Sequence, residues 1–445
     1  MEQRPEPSAS GAGLEPLSRQ AHPLSREQRS WRIKVFVATW LSYVGFYFCR
    51  KPWSVTKNAI GEEMHWDSVT LANIGAAYLI AYAIGQYLAS QMGPRLGPRK
   101  NVLIGMAASI VVTIAMGFGN DPWIMAGLIF VNGVAQATGW SGNVGTMAGW
   151  FHKHERGRVM GIWSTNFTLG SVFSGFVMGW VLAAKWPGMS AWQWCYIVGA
   201  AVLGAIWIQF LFLQRNKPED VGLAPVDDPR TPEDESLDTG PAPALTRDAW
   251  INIFIVGGFY FCAKFVRYAV WSWAAYFLVN NYQMSDSNAA IYSIVFDVAG
   301  LPGIFLTGWI SDKYFASRRG GVALIMMIGM CVSCALLVQF GGASVTTFIV
   351  LLGAVGFTLF GPDALLSGAG AVDIGGRHHA TFVTGVIATC GAIGPVVQEV
   401  VIGRMYDSKS GDLGPIFVML FAGAALGTLF CLALVLRNRK NGRGI

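Results

Sequence analysis

The chain has 445 residues, of which 53% are hydrophobic and only 13% charged, and its formal net charge is +6. That balance excludes an ordinary soluble domain, where about a quarter of residues carry charge. The apolar residues recur along the whole length, so the surplus of Lys and Arg reads as a membrane-topology signal and nucleic-acid binding is not expected.

Residues 1–30 are polar and rich in Pro and Ser, with no apolar core of a signal peptide, and read as a disordered cytosolic tail. Six apolar runs follow near 33–56, 69–92, 101–119, 122–148, 159–184 and 192–213 (spans 1–6). Residues 215–248 are polar, acidic and Pro-rich, a linker composition. Six more runs lie near 249–279, 287–311, 321–341, 345–370, 378–403 and 413–436 (spans 7–12). Each approaches or exceeds the ~20 residues that cross a hydrocarbon core, and in lipid such runs must be helices. The expected fold is an all-α membrane protein of twelve transmembrane helices. It forms two six-helix bundles, 31–214 and 249–437, followed by a basic cytosolic tail, 438–445.

Phe46-Tyr47-Phe48-Cys49-Arg50-Lys51 in span 1 is echoed by Phe259-Tyr260-Phe261-Cys262-Ala263-Lys264 in span 7, as in a duplicated, pseudo-symmetric half. Turns alternate between basic and nearly free of Lys and Arg, with Lys185, Arg404 and Lys409 as exceptions. The rule that basic loops stay inside places both termini in the cytosol. The seven cysteines lie singly in apolar segments, with no disulfide framework, and Cys331-x-x-Cys334 reads as packing.

Charges inside spans are costly, about 2.5–3.5 kcal/mol each on insertion scales, and are functional candidates. Span 1 carries Arg50 and Lys51, and span 7 carries Lys264 and Arg267. Arg50 is seventeen residues after Ile33 and Arg267 eighteen after Ala249, which predicts similar depths in a common cavity. Two guanidinium forks suit a dianion such as a phosphate. Tyr43 and Tyr47 share the face of Arg50, Tyr268 and Trp271 that of Lys264, and Asn132, Gln136, Trp140 and Asn143 form a polar stripe on span 4. The stripe serves either a polyol ligand or helix-helix hydrogen bonding. The acids Asp297, Asp363 and Glu399 could each neutralise an arginine or carry a proton.

The turn after span 8, Gly308-Trp309-Ile310-Ser311-Asp312-Lys313 followed by Arg318-Arg319, resembles the gating motif of the major facilitator superfamily. After span 2, Arg95, Arg99 and Lys100 are kept, but Pro94 stands where the acid belongs. Together with Arg50-Lys51-Pro52, Tyr78-Leu79-Ile80-Ala81-Tyr82, Thr138-Gly139-Trp140, Pro218-Glu219-Asp220-Val221 and Arg267-Tyr268, the chain resembles the organophosphate:phosphate antiporter family, from about Trp31 to Arg437. The resemblance implies the major facilitator fold, alternating access, and exchange of an organic phosphate for inorganic phosphate. It assigns the two essential arginines to Arg50 and Arg267, substrate-lining tyrosines to Tyr43, Tyr47 and Tyr82, and a tryptophan to Trp140. Departures are Gln86 in place of a binding lysine, Phe167 with neighbouring Asn166 in place of a histidine, and Ser272 in place of an aspartate, whereas Asp297 keeps an acid on span 8.

The expected protein is thus a secondary transporter of a phosphate-bearing small molecule, a monomer in a lipid bilayer, in a cell inner (plasma) membrane. Its expected site comprises Arg50, Arg267, Lys51, Lys264, Tyr43, Tyr47, Tyr82, Trp140, Asn143, Asn166 and Tyr268, with Asp312, Lys313 and Arg318 as gate. A sugar-phosphate sensor with little flux and a proton-coupled organic-anion symporter are alternatives. No cofactor is expected. His65, His152, His154, His378 and His379 sit at loops or span ends and have no metal-ligand spacing, so an enzyme is not expected.

Overall fold

A computed structural model describes residues 24–184, 186–225, 244–314, 319–366, 371–406 and 411–441. Among these the chain is helical, with a short 3-10 turn at Pro218–Val221. Helices stand at all twelve predicted spans. Ten candidate spans are long and apolar enough to cross a membrane by length and composition, which makes the chain a multi-pass membrane protein. The predicted spans outside that set have physical reasons: span 1 is broken and charged, and the span 4 helix Pro122–Trp150 is diluted by buried Asn132, Gln136 and Asn143.

Helix bounds differ from the expectation at the ends. Span 1 starts at Arg26, within the stretch read as tail, because Ser25 and Gln28 form a reciprocal capping box. The last helix runs Gly414–Asn441, into the stretch read as basic tail. Residues 1–23, 226–243 and 442–445, with Lys185, Arg318 and Lys409, lie outside the described residues.

The two halves repeat one packing pattern. In the first, span 2 packs on span 4, span 1 on spans 5 and 6, and span 3 on spans 4 and 6. In the second, span 8 packs on span 10, span 7 on spans 11 and 12, and span 9 on spans 10 and 12. Between halves, span 2 meets span 11 and span 5 meets span 8, the contacts a pseudo-two-fold axis would pair. Hydrogen bonds join the halves at the end away from the termini: Asn280 Nδ2 to Asn58 Oδ1 (2.8 Å), Ser287 Oγ to the Gly179 carbonyl (2.7 Å), and Ser68 Oγ to the carbonyls of Gly403 and Tyr406 (3.0 and 3.1 Å).

Three spans are interrupted. Span 5, apolar from Arg158 to Ala184, is cut into helices Lys153–Trp163 and Thr165–Ala184, and span 8 is Asp286–Tyr292 and Val295–Tyr314. Span 1 is Arg26–Phe48 and Lys51–Met64, and its break has a definite cause. Pro52 has no N–H and its ring clashes with the carbonyl four residues back, that of Phe48. The N–H groups of Cys49 and Arg50 turn instead to Phe46 and Tyr47, both at 3.1 Å. Released carbonyls in a bilayer need new partners, and Asn132 Nδ2 donates to the Cys49 carbonyl at 3.0 Å. Span 6 passes so close that an ideal Cβ on Gly199 would lie 2.1 Å from the Phe48 carbonyl oxygen, so only glycine fits there.

Candidate functional site

The break in span 1 delivers Arg50 to the interface between the halves. Its Nε donates to Gln136 Oε1 at 3.0 Å, and the Tyr78 hydroxyl donates to the same oxygen at 3.0 Å. The guanidinium lies 4.7, 5.5 and 5.0 Å from the ring centres of Tyr47, Tyr78 and Tyr82. These contacts hold a buried cation by aromatic faces. The remaining edge of the fork is open: Nη2 is buried and has no hydrogen-bond partner.

Arg267, from span 7, is differently satisfied. Its Nη1 donates to Asp363 Oδ2 at 2.6 Å, and its guanidinium sits 5.1 Å from the Phe167 ring and 4.3 Å from that of Phe360. Arg50 and Arg267 line one cavity with Tyr47, Phe167, Ser171, Tyr268, Trp271 and Asp297. A second cavity shares Arg50, Tyr268 and Trp271 and runs on to Trp53, Gly75, Ser272 and Glu399. The two arginines counted to similar depths therefore do border common space.

The other predicted site residues fall into groups. Tyr268 lines both cavities. Lys264 lies over the rings of Tyr260 and Tyr268, at 5.1 and 5.6 Å. Lys51 is 1% exposed, with Nζ 5.0 Å from the Trp271 ring centre, and is absent from both cavity walls. Asp297 accepts from Ser171 Oγ at 2.6 Å, and Trp271 Nε1 donates to that same hydroxyl at 3.0 Å. Tyr43 joins an aromatic cluster with Tyr47, Trp140 and Trp163, and its hydroxyl is 3.4 Å from that of Tyr82. Asn166 is fully buried beside Phe167, and both polar atoms of its side chain lack hydrogen-bond partners.

Two expectations need correction. Asn143 is not brought to the cavity: it is fully buried and its Nδ2 donates to Ser42 Oγ at 2.8 Å, which makes it part of the span 1–span 4 seam. It lies seven residues from Gln136, roughly 10 Å along the helix. Glu399 does not neutralise an arginine. Its Oε1 pairs with Lys57 Nζ at 2.5 Å, and Ser272, Trp273 and Gln398 donate to the same carboxylate at 3.0, 3.0 and 2.9 Å. Of the predicted gate, Lys313 is exposed and lies 4.6 Å from the Trp309 ring centre. The Asp312 side chain and Arg318 lie outside what is described.

Sequence reasoning passed over Lys57, Trp53 and the contact of Tyr78 with Arg50. Charge balance gave no signal for Lys57, because Arg50, Lys51, Lys264 and Arg267 already outnumber Asp297, Asp363 and Glu399. Among the described residues no group of His, Cys, Asp and Glu is arranged to hold a metal.

A helical bundle of two matched halves, with cations buried where the halves meet, defines a membrane carrier. The chain belongs to the Major Facilitator Superfamily, which it matches over residues 35–399. It is 26% identical to the glycerol-3-phosphate transporter of Bacillus subtilis, over 93% of this chain and 94% of that protein. It is 27% identical to the glucose-6-phosphate exchanger SLC37A2 of Xenopus laevis, over 97% of each. Among solved structures it resembles a D-xylose-proton symporter with a TM-score of 0.68, over 90% of this chain and 97% of that one; at 13% identity this likeness shows the fold alone. The protein is thus a major facilitator transporter related to sugar-phosphate and glycerol-3-phosphate transporters and exchangers, and not an enzyme.

Proposed function

We propose that the protein exchanges an organic phosphate, of the sugar-phosphate or glycerol 3-phosphate class, for inorganic phosphate by alternating access. The observation that carries this reading is the open edge of Arg50. Arg267 has Asp363, whereas Arg50 is held by an amide and three aromatic rings and keeps a buried Nη2 without a partner. A phosphate between the two guanidinium groups offers oxygens to both forks. The two relatives, a glycerol-3-phosphate transporter and a glucose-6-phosphate exchanger, point the same way.

Exchange follows from the cost of a buried unmatched charge. Bound phosphate lowers the cost of closing the cavity and lets the halves rock. The empty carrier holds an uncompensated Arg50 and reorients poorly, so return requires a second phosphate. With both termini in the cytosol, as the distribution of Lys and Arg favours, the hydrogen-bonded end of the bundle faces outward and the cavity is served from the cytosol. Further parts of this reading are a monomer in the inner (plasma) membrane, bundles 31–214 and 249–437 joined by a linker at 215–248, and gating by Asp312, Lys313 and Arg318.

The test is uptake of labelled inorganic phosphate by liposomes holding purified protein, preloaded with phosphate, glycerol 3-phosphate, glucose 6-phosphate or nothing. Uptake confined to preloaded vesicles is the expected result. Equal uptake into empty vesicles refutes exchange.

A further inference from the structure

Cys49 and Arg50 are neighbours in the chain, and span 4 holds both. Asn132 Nδ2 donates to the Cys49 carbonyl at 3.0 Å, Gln136 Nε2 donates to Asn132 Oδ1 at 3.0 Å, and Gln136 Oε1 accepts from Arg50 Nε at 3.0 Å. The two amides stand four residues apart on the helix Pro122–Trp150, the spacing at which side chains on one face meet. Ser109 of span 3 also donates to Asn132 Oδ1, at 2.7 Å. Asn132, Gln136 and Ser109 are at most 1% exposed.

The two ends of this chain of bonds permit only one direction. A backbone carbonyl only accepts, and an arginine Nε only donates. Asn132 must therefore turn its NH2 to Cys49 and its oxygen to Gln136. Gln136 must then turn its NH2 to Asn132, which leaves its oxygen for Arg50. Turned over, the Gln136 amide would set donor against donor at Arg50 and lose Asn132 as acceptor. Asn143, on the same stripe, is under no such constraint: its partner is the Ser42 hydroxyl, which can donate or accept.

We propose that Asn132 is a positioning residue for Arg50. It is anchored on the carbonyl at the span 1 break and, through Gln136, occupies Nε, so that the Nη2 edge of the guanidinium is the one presented to phosphate. This rests on the exchange reading above. The break thus does more than deliver Arg50 to the interface, since its own carbonyl orients the amide that orients the fork. Buried networks of this kind act as units, and their members do not contribute independently.

The experiment measures exchange of labelled for unlabelled inorganic phosphate in proteoliposomes and separates the half-saturating phosphate concentration from the maximal rate. Gln136→Met removes the acceptor, and Asn132→Leu removes the link to the Cys49 carbonyl. Each should raise the half-saturating concentration at least about tenfold, the worth of one hydrogen bond to a charged group, and lower the maximal rate by less than about twofold. The double variant should match Gln136→Met alone, because Asn132 acts only through Gln136. If Asn132→Leu does not fold, Asn132→Ser, whose hydroxyl is too short to reach both partners, takes its place in the same cycle. An unchanged half-saturating concentration in either single variant overturns the proposal. So do losses that multiply in the double variant, which would mean that Asn132 acts on the break directly. The same cycle is read without flux from the phosphate concentration that half-maximally raises the melting temperature of purified protein. Wild-type protein that binds phosphate without exchanging it overturns the exchange reading alone, and the relay then stands or falls on the binding cycle. Wild-type protein that does neither overturns both.

Discussion

Lys57 Nζ lies 2.5 Å from Glu399 Oε1, and the two side chains, 0% and 1% exposed, belong to opposite halves of the bundle. Lys57 also donates to Ser272 Oγ at 2.7 Å and sits 3.9 Å from the Trp273 ring centre. The pair is thus a buried, fully bonded link across the interface on which any rocking motion must act. Removing one member leaves a charge stranded in a low-dielectric site, a loss of about 3–5 kcal/mol, whereas removing both charges together is far less costly. Lys57→Met and Glu399→Gln should each lower the thermal midpoint of the detergent-purified protein clearly, and the double variant should recover much of the loss. Additive losses in the melting series would show that the two residues do not act as a pair.

Arg50 illustrates why charge alone is insufficient. Its Nε bond to Gln136 at 3.0 Å fixes the plane of the guanidinium, and Nη2 is left for a ligand. A lysine keeps the charge but loses the planar fork and the bond that orients it. Breaking one side of a buried charge-assisted contact costs roughly 2–5 kcal/mol. Arg50→Lys should therefore cut phosphate exchange by at least about 30-fold while the protein still purifies as a monodisperse species. Wild-type exchange rates in this variant would sink the assignment.

Some of this architecture was legible in the sequence and some was not, for reasons that particular residues expose. Helices stand at the predicted spans because continuous apolar length leaves the backbone no alternative in lipid. That Arg50 and Arg267 border one cavity was legible because rise per residue is a fixed number and the two stand at matching counts from their span starts. Lys57 was not: Pro52 breaks the helix, so counting along span 1 fails just beyond Arg50, and the predicted span stopped at residue 56. The stripe Asn132, Gln136, Trp140 and Asn143 was legible as one face. Its division was not, because which neighbour each residue meets depends on packing: Asn132 meets Cys49, Gln136 meets Arg50 and Asn143 meets Ser42. Trp53 carries no sequence signal, since an indole without a hydrogen-bond partner is recognised only in its packed surroundings.

At the terminus-side end, Arg32 bonds Glu155 and also donates from Nε to the Trp150 carbonyl at 2.8 Å. Burial opposes ionisation of Glu155, but the His152 backbone N–H and Arg32 outweigh it and hold the carboxyl below its ordinary range. A depressed folded-state pKa contributes stability above the unfolded value, about 4.3 for Glu, and that contribution disappears as pH falls through the folded value. The wild type should lose thermal stability on acidification below about pH 4.3, and Glu155→Gln should show a shallower acid limb with a lower plateau at neutral pH. Parallel pH profiles for the two proteins in melting experiments would mean that Glu155 does not supply the slope.

The break at Pro52 makes a further demand on span 6. Gly199 lies against the Phe48 carbonyl, and the atom an added Cβ would meet at 2.1 Å is backbone, which no rotamer change can move. Overpacking of this kind costs typically about 1–3 kcal/mol. Here the strain falls on the turn that presents Arg50, so its effect should reach the site as well as the fold. Gly199→Ala should lower the melting temperature and also raise the phosphate concentration that half-saturates exchange. Gly204→Ala, on the same helix with nothing within 4 Å of its added Cβ, is the control and should do neither. Equal behaviour of the two variants would show that the contact between span 6 and the span 1 break does not hold Arg50 in place.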